Sequence, residues 1–183
     1  PDQVIFFRPP EAYRNVQMVE LPKGDWALSM VRQYLFDAYE LAFLAQLVAS
    51  EYTPLAEAAA KIRPEELYHY RHSSTWVRRL ALGTAESHRR TQAALDSLWP
   101  YAQQLFVPLP DEPALVTAGY VPDPALTQQS WQTAVQPFLG ECALTIPQIA
   151  TGAPPGREEH TPHITDLLAE LQEVARLDPT ASW

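Results

Sequence analysis

The feature that most limits the fold of this chain is a stretch without glycine or proline that covers residues 26–51. Apolar side chains recur along it at helical spacing in two adjacent rows, one containing Val31 and Leu35 and the other Met30 and Tyr34. Two neighbouring apolar rows are typical of a helix that is buried over a wide arc. Asp25 precedes the stretch as a candidate N-cap, so we predict one long helix over residues 25–51.

A second long helix is predicted directly after the first. Thr53-Pro54 supplies a capping residue and a proline suited to the first helical turn, and the next glycine is Gly83. The predicted helix covers residues 54–82, with a kink at Pro64 because proline removes one backbone hydrogen bond. The connection between the two helices is short, so they should form an antiparallel hairpin.

The remaining chain also favours helices, and no stretch shows sustained strand alternation. Residues 1–23 show no clear period and are predicted to be irregular. Three more helices, separated by proline-rich loops at 107–121 and 145–160, are predicted at 84–106, at 123–139 and from Thr161 onwards. We therefore predict a single all-α domain over residues 1–183. The start at Pro1 without a methionine indicates a fragment of a longer protein.

Composition argues against several classes of function. The 183-residue chain has a formal net charge of −9, which disfavours nucleic acid and acidic membrane surfaces as partners. No apolar run has membrane-spanning length. The single Cys142 lies among apolar residues, so we predict a core residue and no internal disulfide. These properties predict a cytoplasmic protein.

A candidate metal site lies on the predicted hairpin. Asp37 interrupts an apolar row, and a carboxylate placed there needs a partner. Across the hairpin, Glu66 and His69 form a Glu-x-x-His pair whose side chains leave the same face of a helix. At about 1.5 Å per residue from the turn, Asp37 lies level with this pair, and Glu40 lies nearly level as well. Burial favours Asp37 over Glu40 as the third group.

This arrangement corresponds to half of a ferritin-like dinuclear site, which needs two such halves from four helices. The chain contains no second Glu-x-x-His motif. A polar bridge between the helices, for example from Asp37 to His69, would explain the same residues without metal. The residues therefore predict a degenerate metal site at Asp37, Glu66 and His69, with the polar bridge as the alternative.

Two further polar clusters invite a functional interpretation. An anion-binding patch could form where the second helix ends and the third begins, at Arg78, Arg79, Arg89 and Arg90. A solvated charged surface is the favoured interpretation of these residues. His160 and His163 resemble a metal-ligand cluster but are expected to cap the last helix. No P-loop, dinucleotide fingerprint or Gly-x-Ser-x-Gly motif occurs.

Many short blocks of the sequence match one known family. In the first half they are Gly24-Asp25-Trp26, Val31-Arg32-Gln33-Tyr34, Phe36-Asp37-Ala38, Pro54-Leu55-Ala56, Ala60-Lys61-Ile62, Tyr68-His69, Arg71-His72, Trp76, Arg79-Leu80 and Gly83-Thr84. In the second half they are Gln92, Ala94-Leu95, Leu98-Trp99, Leu105-Phe106, His160-Thr161, Leu167-Leu168-Ala169-Glu170 and Trp183. Over nearly the whole chain these blocks resemble the C subunit of the ring-1,2-phenylacetyl-CoA epoxidase.

The resemblance implies a ferritin-like fold and a structural, non-catalytic role with a degraded metal site and no cofactor. It implies a homologous A subunit as partner, which carries the diiron site and oxygenates phenylacetyl-CoA with electrons from a reductase. The arginine patch could then help to contact the CoA part of the substrate. In the family, two further helices precede the region matched here and complete a four-helix bundle. Glu66 departs from a fully degraded site, because such a site does not need a ligand-type residue there.

Two alternatives to the structural subunit stay open. The chain could be a metal-binding oxidase that uses Asp37, Glu66 and His69, with the other ligands from a second copy or from absent helices. It could also be a helical interaction module unrelated to oxygenation. Two helices alone cannot bury both apolar rows of residues 26–51, so we also predict either self-association through the hairpin or cleavage after folding.

Overall fold

A computed structural model describes residues 2–148 and 152–179, so part of the predicted loop 145–160 and Trp183 lie outside the described residues. Throughout these two ranges the chain contains helices, turns and loops and no strand, which confirms the all-α prediction. The helices are α1 (Asp2–Ile5), α2 (Trp26–Leu47), α3 (Thr53–Ala81), α4 (Ala85–Ala102), α5 (Glu112–Thr117), α6 (Pro124–Glu141) and α7 (His163–Leu177). Short 3-10 turns lie at Pro10–Ala12, Gln17–Val19 and Gln103–Phe106.

Helices α2 and α3 form the predicted antiparallel hairpin. Trp26 at the start of α2 packs edge-on against Trp76 near the end of α3, with 5.5 Å between ring centroids. The Asp25 carboxylate caps α2 as predicted, accepting a hydrogen bond from the Leu28 backbone N–H at 2.9 Å. Pro64 lies inside α3, which nevertheless continues to Ala81 without a break.

The turn of the hairpin differs from the prediction in two respects. Helix α2 ends at Leu47 rather than at residue 51. The physical reason is a competing partner: the Glu51 backbone N–H donates to the Gly119 carbonyl at 3.0 Å, which draws the connection away from helical geometry. Thr53 is the first residue of α3 and not its cap, because Tyr52 occupies the cap position with extended backbone and no side-chain bond.

The core forms where α4 and α6 pack against α2. Trp131 of α6 is fully buried and donates its indole N–H to the Leu35 carbonyl of α2 at 3.0 Å. Trp99 of α4 stacks on Trp131 with 5.2 Å between ring centroids. The predicted core position of Cys142 is confirmed, since its side chain is buried and not in a disulfide. The amino-terminal half of α2 is therefore the centre of the molecule.

Two regions predicted to be irregular contain short helices. The loop 107–121 includes α5, which begins at Glu112 with Pro113 in its first turn, where a missing N–H costs nothing. The Glu112 carboxylate also accepts a hydrogen bond from the Leu109 backbone N–H at 2.7 Å. Residues 1–23 include α1 and two 3-10 turns. No helix of the described chain is both long and apolar enough to cross a membrane.

Candidate functional site

The candidate site is a group of carboxylates between α2 and α3, centred on Asp37. Asp37 has no exposed surface, and both of its oxygens accept hydrogen bonds. The Gln33 side-chain amide donates to Oδ1 at 2.5 Å, and the Ser73 hydroxyl donates to Oδ2 at 2.7 Å. The inter-helix bridge predicted for Asp37 therefore exists, but its partner on α3 is Ser73 and not His69.

Glu66 is the second buried carboxylate of the site and lies on α3, with only 5% of its surface exposed. Its Oε2 lies 3.3 Å from His69 Nδ1, one turn along the same helix. Its Oε1 is buried and has no hydrogen-bond partner in the described part of the chain. His69 itself is about half exposed, with 46% of its side-chain surface accessible, so the Glu-x-x-His pair is present but opens towards solvent.

Glu40, which the sequence analysis ranked below Asp37, belongs to the same group. It lies half-buried one turn after Asp37, and its negative charge acts on the Glu66 carboxyl group. Burial raises the pKa of Asp37 against the lowering effect of the bonds from Ser73 and Gln33. Burial and the negative charges of Glu40 and Asp37 raise the pKa of Glu66 to about 7. Asp37, Glu40 and Glu66 therefore repel one another when they are ionised.

The resemblance to a ferritin-like subunit implies a dinuclear metal site at this position of the hairpin. Within residues 2–148 and 152–179, no group of three or more His, Cys, Asp or Glu side chains is arranged to hold a metal ion. Both Asp37 oxygens are already occupied by donors, which a metal would have to displace. The residues present do not fit a resident dinuclear centre, and the metal role of Asp37, Glu66 and His69 stays a prediction.

Gln33 and Ser73 are the site residues that sequence reasoning missed. Gln33 was recognisable by spacing, because it stands four residues before Asp37 on the same helix, whereas Ser73 stands four residues after His69 on the other helix. Neither residue carries charge, so neither stood out as a ligand. A search for neutral donors one turn away from a buried carboxylate on the same helix would have found Gln33 but not Ser73, which lies on the other helix from Asp37.

The four arginines of the predicted anion patch are largely engaged with carboxylates. Arg78 pairs with Glu141 at 2.8 Å, and Arg89 and Arg90 both pair with Glu86, at 2.8 and 2.7 Å. Arg90 also lies 3.4 Å from Asp25. Arg79 instead lies over the ring of Trp76, 5.5 Å from its centroid, with no ion pair to a described residue. A bound anion would compete with existing pairs at the other three positions.

His160 does not cap the last helix but joins the segment before it to Glu20. Its Nδ1 lies 2.7 Å from the Glu20 carboxylate, which also accepts bonds from the Thr161 backbone N–H at 2.6 Å and the Thr161 hydroxyl at 2.8 Å. The Asn15 side-chain amide donates a further bond at 2.8 Å. The cap position of α7 is held by Pro162, which has no side-chain cap bond. The His160 cluster is thus a buried tie between two chain segments.

Comparison with known proteins gives two concordant matches. The family model described as "Phenylacetic acid catabolic protein" matches residues 1–183. The chain is also 34% identical over 185 residues to the C subunit of the 1,2-phenylacetyl-CoA epoxidase of Escherichia coli (strain K12). That alignment covers 100% of this chain and 74% of the relative, which is the longer of the two.

Proposed function

Because the chain belongs to the phenylacetic acid catabolic protein family, we propose that it is a structural, non-catalytic subunit of a phenylacetyl-CoA epoxidase in phenylacetate degradation. The observation that carries this proposal is the 34% identity to the C subunit of such an epoxidase along the full length of the chain. Such a subunit works with other subunits of its complex. Its all-α, ferritin-like bundle suits that role, since helix faces form large interfaces.

The state of the carboxylate cluster supports a structural role. Both oxygens of Asp37 accept hydrogen bonds from neutral donors, one from Gln33 on α2 and one from Ser73 on α3. The second of these bonds joins the two helices. Glu66 and Glu40 lie beside Asp37, and the His69 side chain is about half exposed to solvent. The cluster stabilises the hairpin through Asp37, and among the described residues it forms no assembled set of metal ligands.

We further propose that the main partner is the homologous catalytic A subunit, which would carry the diiron site and act on phenylacetyl-CoA. This chain would need no cofactor of its own. Of the arginine patch, Arg79 is the residue best placed to contact the CoA part, because its guanidinium is not committed to a carboxylate among the described residues. The cytoplasm is the proposed compartment, since the one cysteine forms no internal disulfide.

Reconstitution tests the structural role directly. The catalytic subunit, the reductase and phenylacetyl-CoA are combined with and without this chain, and epoxide formation is measured. We expect activity only when the chain is present, and we expect the Glu66→Gln/His69→Ala double variant to support it as well as the wild type. Full activity of the catalytic subunit alone would refute the proposal.

A metal-binding oxidase is the second candidate, and one observation favours it. The unpartnered, buried Oε1 of Glu66, next to Glu40 and Asp37, is the kind of position that attracts a cation. Elemental analysis of the purified chain separates the two candidates. Iron well below one atom per chain contradicts the oxidase, whereas stoichiometric iron that is lost in Glu66→Gln contradicts the purely structural role.

A further inference from the structure

At the end of the hairpin opposite its turn, an exposed tryptophan lies close to an arginine that has no ion pair among the described residues. Trp26 is the first residue of α2, and 50% of its surface is exposed. Trp76 lies near the end of α3, and Arg79 follows it by three residues on the same helix face. We call Trp26, Trp76 and Arg79 the tryptophan–arginine surface. Its two kinds of side chain suit a ligand that has both a flat ring and a negative charge.

Trp76 leaves one face of the Trp26 ring uncovered. The two indole rings meet edge-on, with 5.5 Å between their centroids and 88° between their planes. In such a pair one ring contributes its edge, so Trp76 covers at most one face of Trp26, whichever ring that is. Because half of Trp26 is exposed, its other face is accessible to solvent. A planar group can therefore stack on Trp26 without displacing Trp76.

The Arg79 guanidinium is held in place by Trp76. Its Cζ lies 5.5 Å from the centroid of the Trp76 ring, a cation–π contact. The guanidinium carries five N–H donors, and within the described chain none of them is used in an ion pair. A stacked guanidinium has already lost part of its conformational freedom, so less entropy is lost when its free donors bind a ligand.

The neighbouring charges favour an anion as the ligand of Arg79. Four arginines lie where α3 ends and α4 begins, and three carboxylates pair with the other three of them: Arg78 with Glu141, Arg89 with Glu86, and Arg90 with both Glu86 and Asp25. Among the described residues, Arg79 is the arginine of this group that is left without a carboxylate. The acidic groups that contact these arginines are therefore already paired, and one positive charge remains.

The open ring face and the free cation are close enough to contact one small ligand. The Trp26 centroid and the Arg79 Cζ each lie 5.5 Å from the Trp76 centroid, so they are at most twice that distance, about 11 Å, apart. A nucleotide has a matching construction, because its ribose joins a flat base to phosphate groups. Aromatic side chains bind such bases by stacking, and arginine binds phosphate through two parallel N–H donors.

We propose that the tryptophan–arginine surface binds the adenine nucleotide end of a coenzyme A thioester, with the adenine stacked on Trp26 and a phosphate bonded to Arg79. The inference deepens the proposed function and rests on it, because it takes the thioester from the substrate of the proposed epoxidase. The acyl end of that substrate would react on the catalytic subunit, so the nucleotide end can stay on an open surface of this chain. Contacts so far from the reacting bond strengthen substrate binding rather than the chemical step.

The first test measures the binding of coenzyme A to the full chain by isothermal titration calorimetry. Arg79→Ala and Trp26→Leu are each expected to raise the Kd at least about fivefold, because each removes one of the two contacts. The matched controls are Arg71→Ala and Tyr68→Leu, which remove an exposed arginine and an exposed aromatic residue of α3. Both controls are expected to bind coenzyme A like the wild type.

The second test removes the nucleotide instead of the residue. In the reconstituted epoxidase, KM and kcat are measured with phenylacetyl-CoA and with the phenylacetyl thioester of pantetheine, which lacks the nucleotide. Arg79→Ala is expected to raise the KM for phenylacetyl-CoA at least about fivefold with little change in kcat, and to leave the KM for the pantetheine thioester unchanged. If Arg79 only supported the fold, the substitution would affect both substrates alike.

Three results would overturn the proposal: no effect of Arg79→Ala on either KM, an equal effect on both, or equal losses in the matched controls. Weaker association of Trp26→Leu with another subunit, together with unchanged binding of coenzyme A, would also overturn it and make this surface a protein contact. If calorimetry and kinetics disagree, the KM comparison decides. All of these results leave the proposed function standing, since that fails only when the epoxidase is fully active without this chain. Circular dichroism checks that each variant is folded.

Discussion

At the scale of single residues, three buried carboxylates show three different solutions to the cost of burial. Asp37 receives one neutral donor from its own helix and one from the neighbouring helix. Glu20 receives four hydrogen bonds. Glu66 has one contact and one unpartnered oxygen. How fully each carboxylate is hydrogen-bonded predicts opposite effects of pH on stability at Glu20 and Glu66. Hydrogen bonds to the ionised carboxylate favour the ionised form, whereas burial alone disfavours it.

Glu66 is expected to destabilise the fold when it ionises. Its pKa is about 7 in the folded chain against 4.5 for the ordinary side chain, so the folded state binds more protons between these values and stability falls as pH rises through them. Glu66→Gln removes this loss. By urea denaturation it should be more stable than the wild type by about 1–3 kcal/mol at about pH 8, and equal to it at about pH 4.

Glu65→Gln is the control for Glu66, because Glu65 is an exposed neighbour on the same helix. It should leave the pH dependence of stability unchanged. An equal effect of the two substitutions would show that general surface charge, and not the buried cluster, sets the dependence.

Glu20 is expected to act in the opposite direction. Burial alone would raise its pKa, but the hydrogen bonds from His160, Thr161 and Asn15 outweigh burial and lower it. The stabilisation is then present above the ordinary pKa of 4.5 and is lost as pH falls through the lower folded-state pKa. Glu20→Gln should cost about 2–3 kcal/mol near neutral pH and progressively less in acid, measured by urea denaturation. The exposed Glu173→Gln should cost far less, and a similar loss for both would contradict the tie.

Sequence reasoning found the charged half of the candidate site and missed its neutral half. Asp37 and Glu66 were recognisable because a carboxylate in an apolar row and a Glu-x-x-His pair are visible in one dimension. The choice of Ser73 over His69 as the partner of Asp37 depends on how α2 and α3 are rotated against each other, which their spacing from the turn does not determine. The partner of Glu20 lies 140 residues along the chain and left no local signal.

At the scale of helices, beginnings were predicted better than ends. Asp25, Thr84 and Asp123 all accept a hydrogen bond from the first turn of the helix that follows, because capping is decided by neighbouring residues. The end of α2 at Leu47 is instead decided by the contact of Glu51 with Gly119, which is remote in sequence. The change from α4 to a 3-10 turn at Gln103 comes three residues after Pro100.

The packing of α6 against α2 depends on Trp131. Trp131→Phe removes the hydrogen bond to the Leu35 carbonyl and leaves unfilled volume between two helices, so we expect a loss of about 2–3 kcal/mol in urea denaturation. Trp26→Phe is the matched control, because Trp26 is 50% exposed and should lose less than about 1 kcal/mol. Equal losses would mean that Trp131 is not central to the core.

At the scale of the whole molecule, large apolar side chains that stay exposed predict dependence on partners, for example Trp26, Tyr68 and Leu177, which are 50%, 71% and 80% exposed. The isolated chain should bind a hydrophobic dye and should melt at a lower temperature than the same chain in its complex, because a partner that binds only the folded state stabilises it. Each kcal/mol of stabilisation corresponds to about 2–4 °C for a chain of this size. Differential scanning fluorimetry and light scattering measure both effects. An isolated chain that is monomeric, binds no dye and melts at the same temperature as the complex would contradict this expectation. Self-association through the hairpin stays a prediction that the light scattering tests.

The tie between Glu20 and His160 also sets an order of events during synthesis. The Glu20 carboxylate leaves the ribosome before its imidazole partner, which follows 140 residues later. At about 5–20 residues per second, roughly 7–28 s pass between the synthesis of Glu20 and that of the groups that bind it. The hairpin can form in that interval, whereas the contact between Glu20 and His160 can form only after the segment around residue 160 has been synthesised.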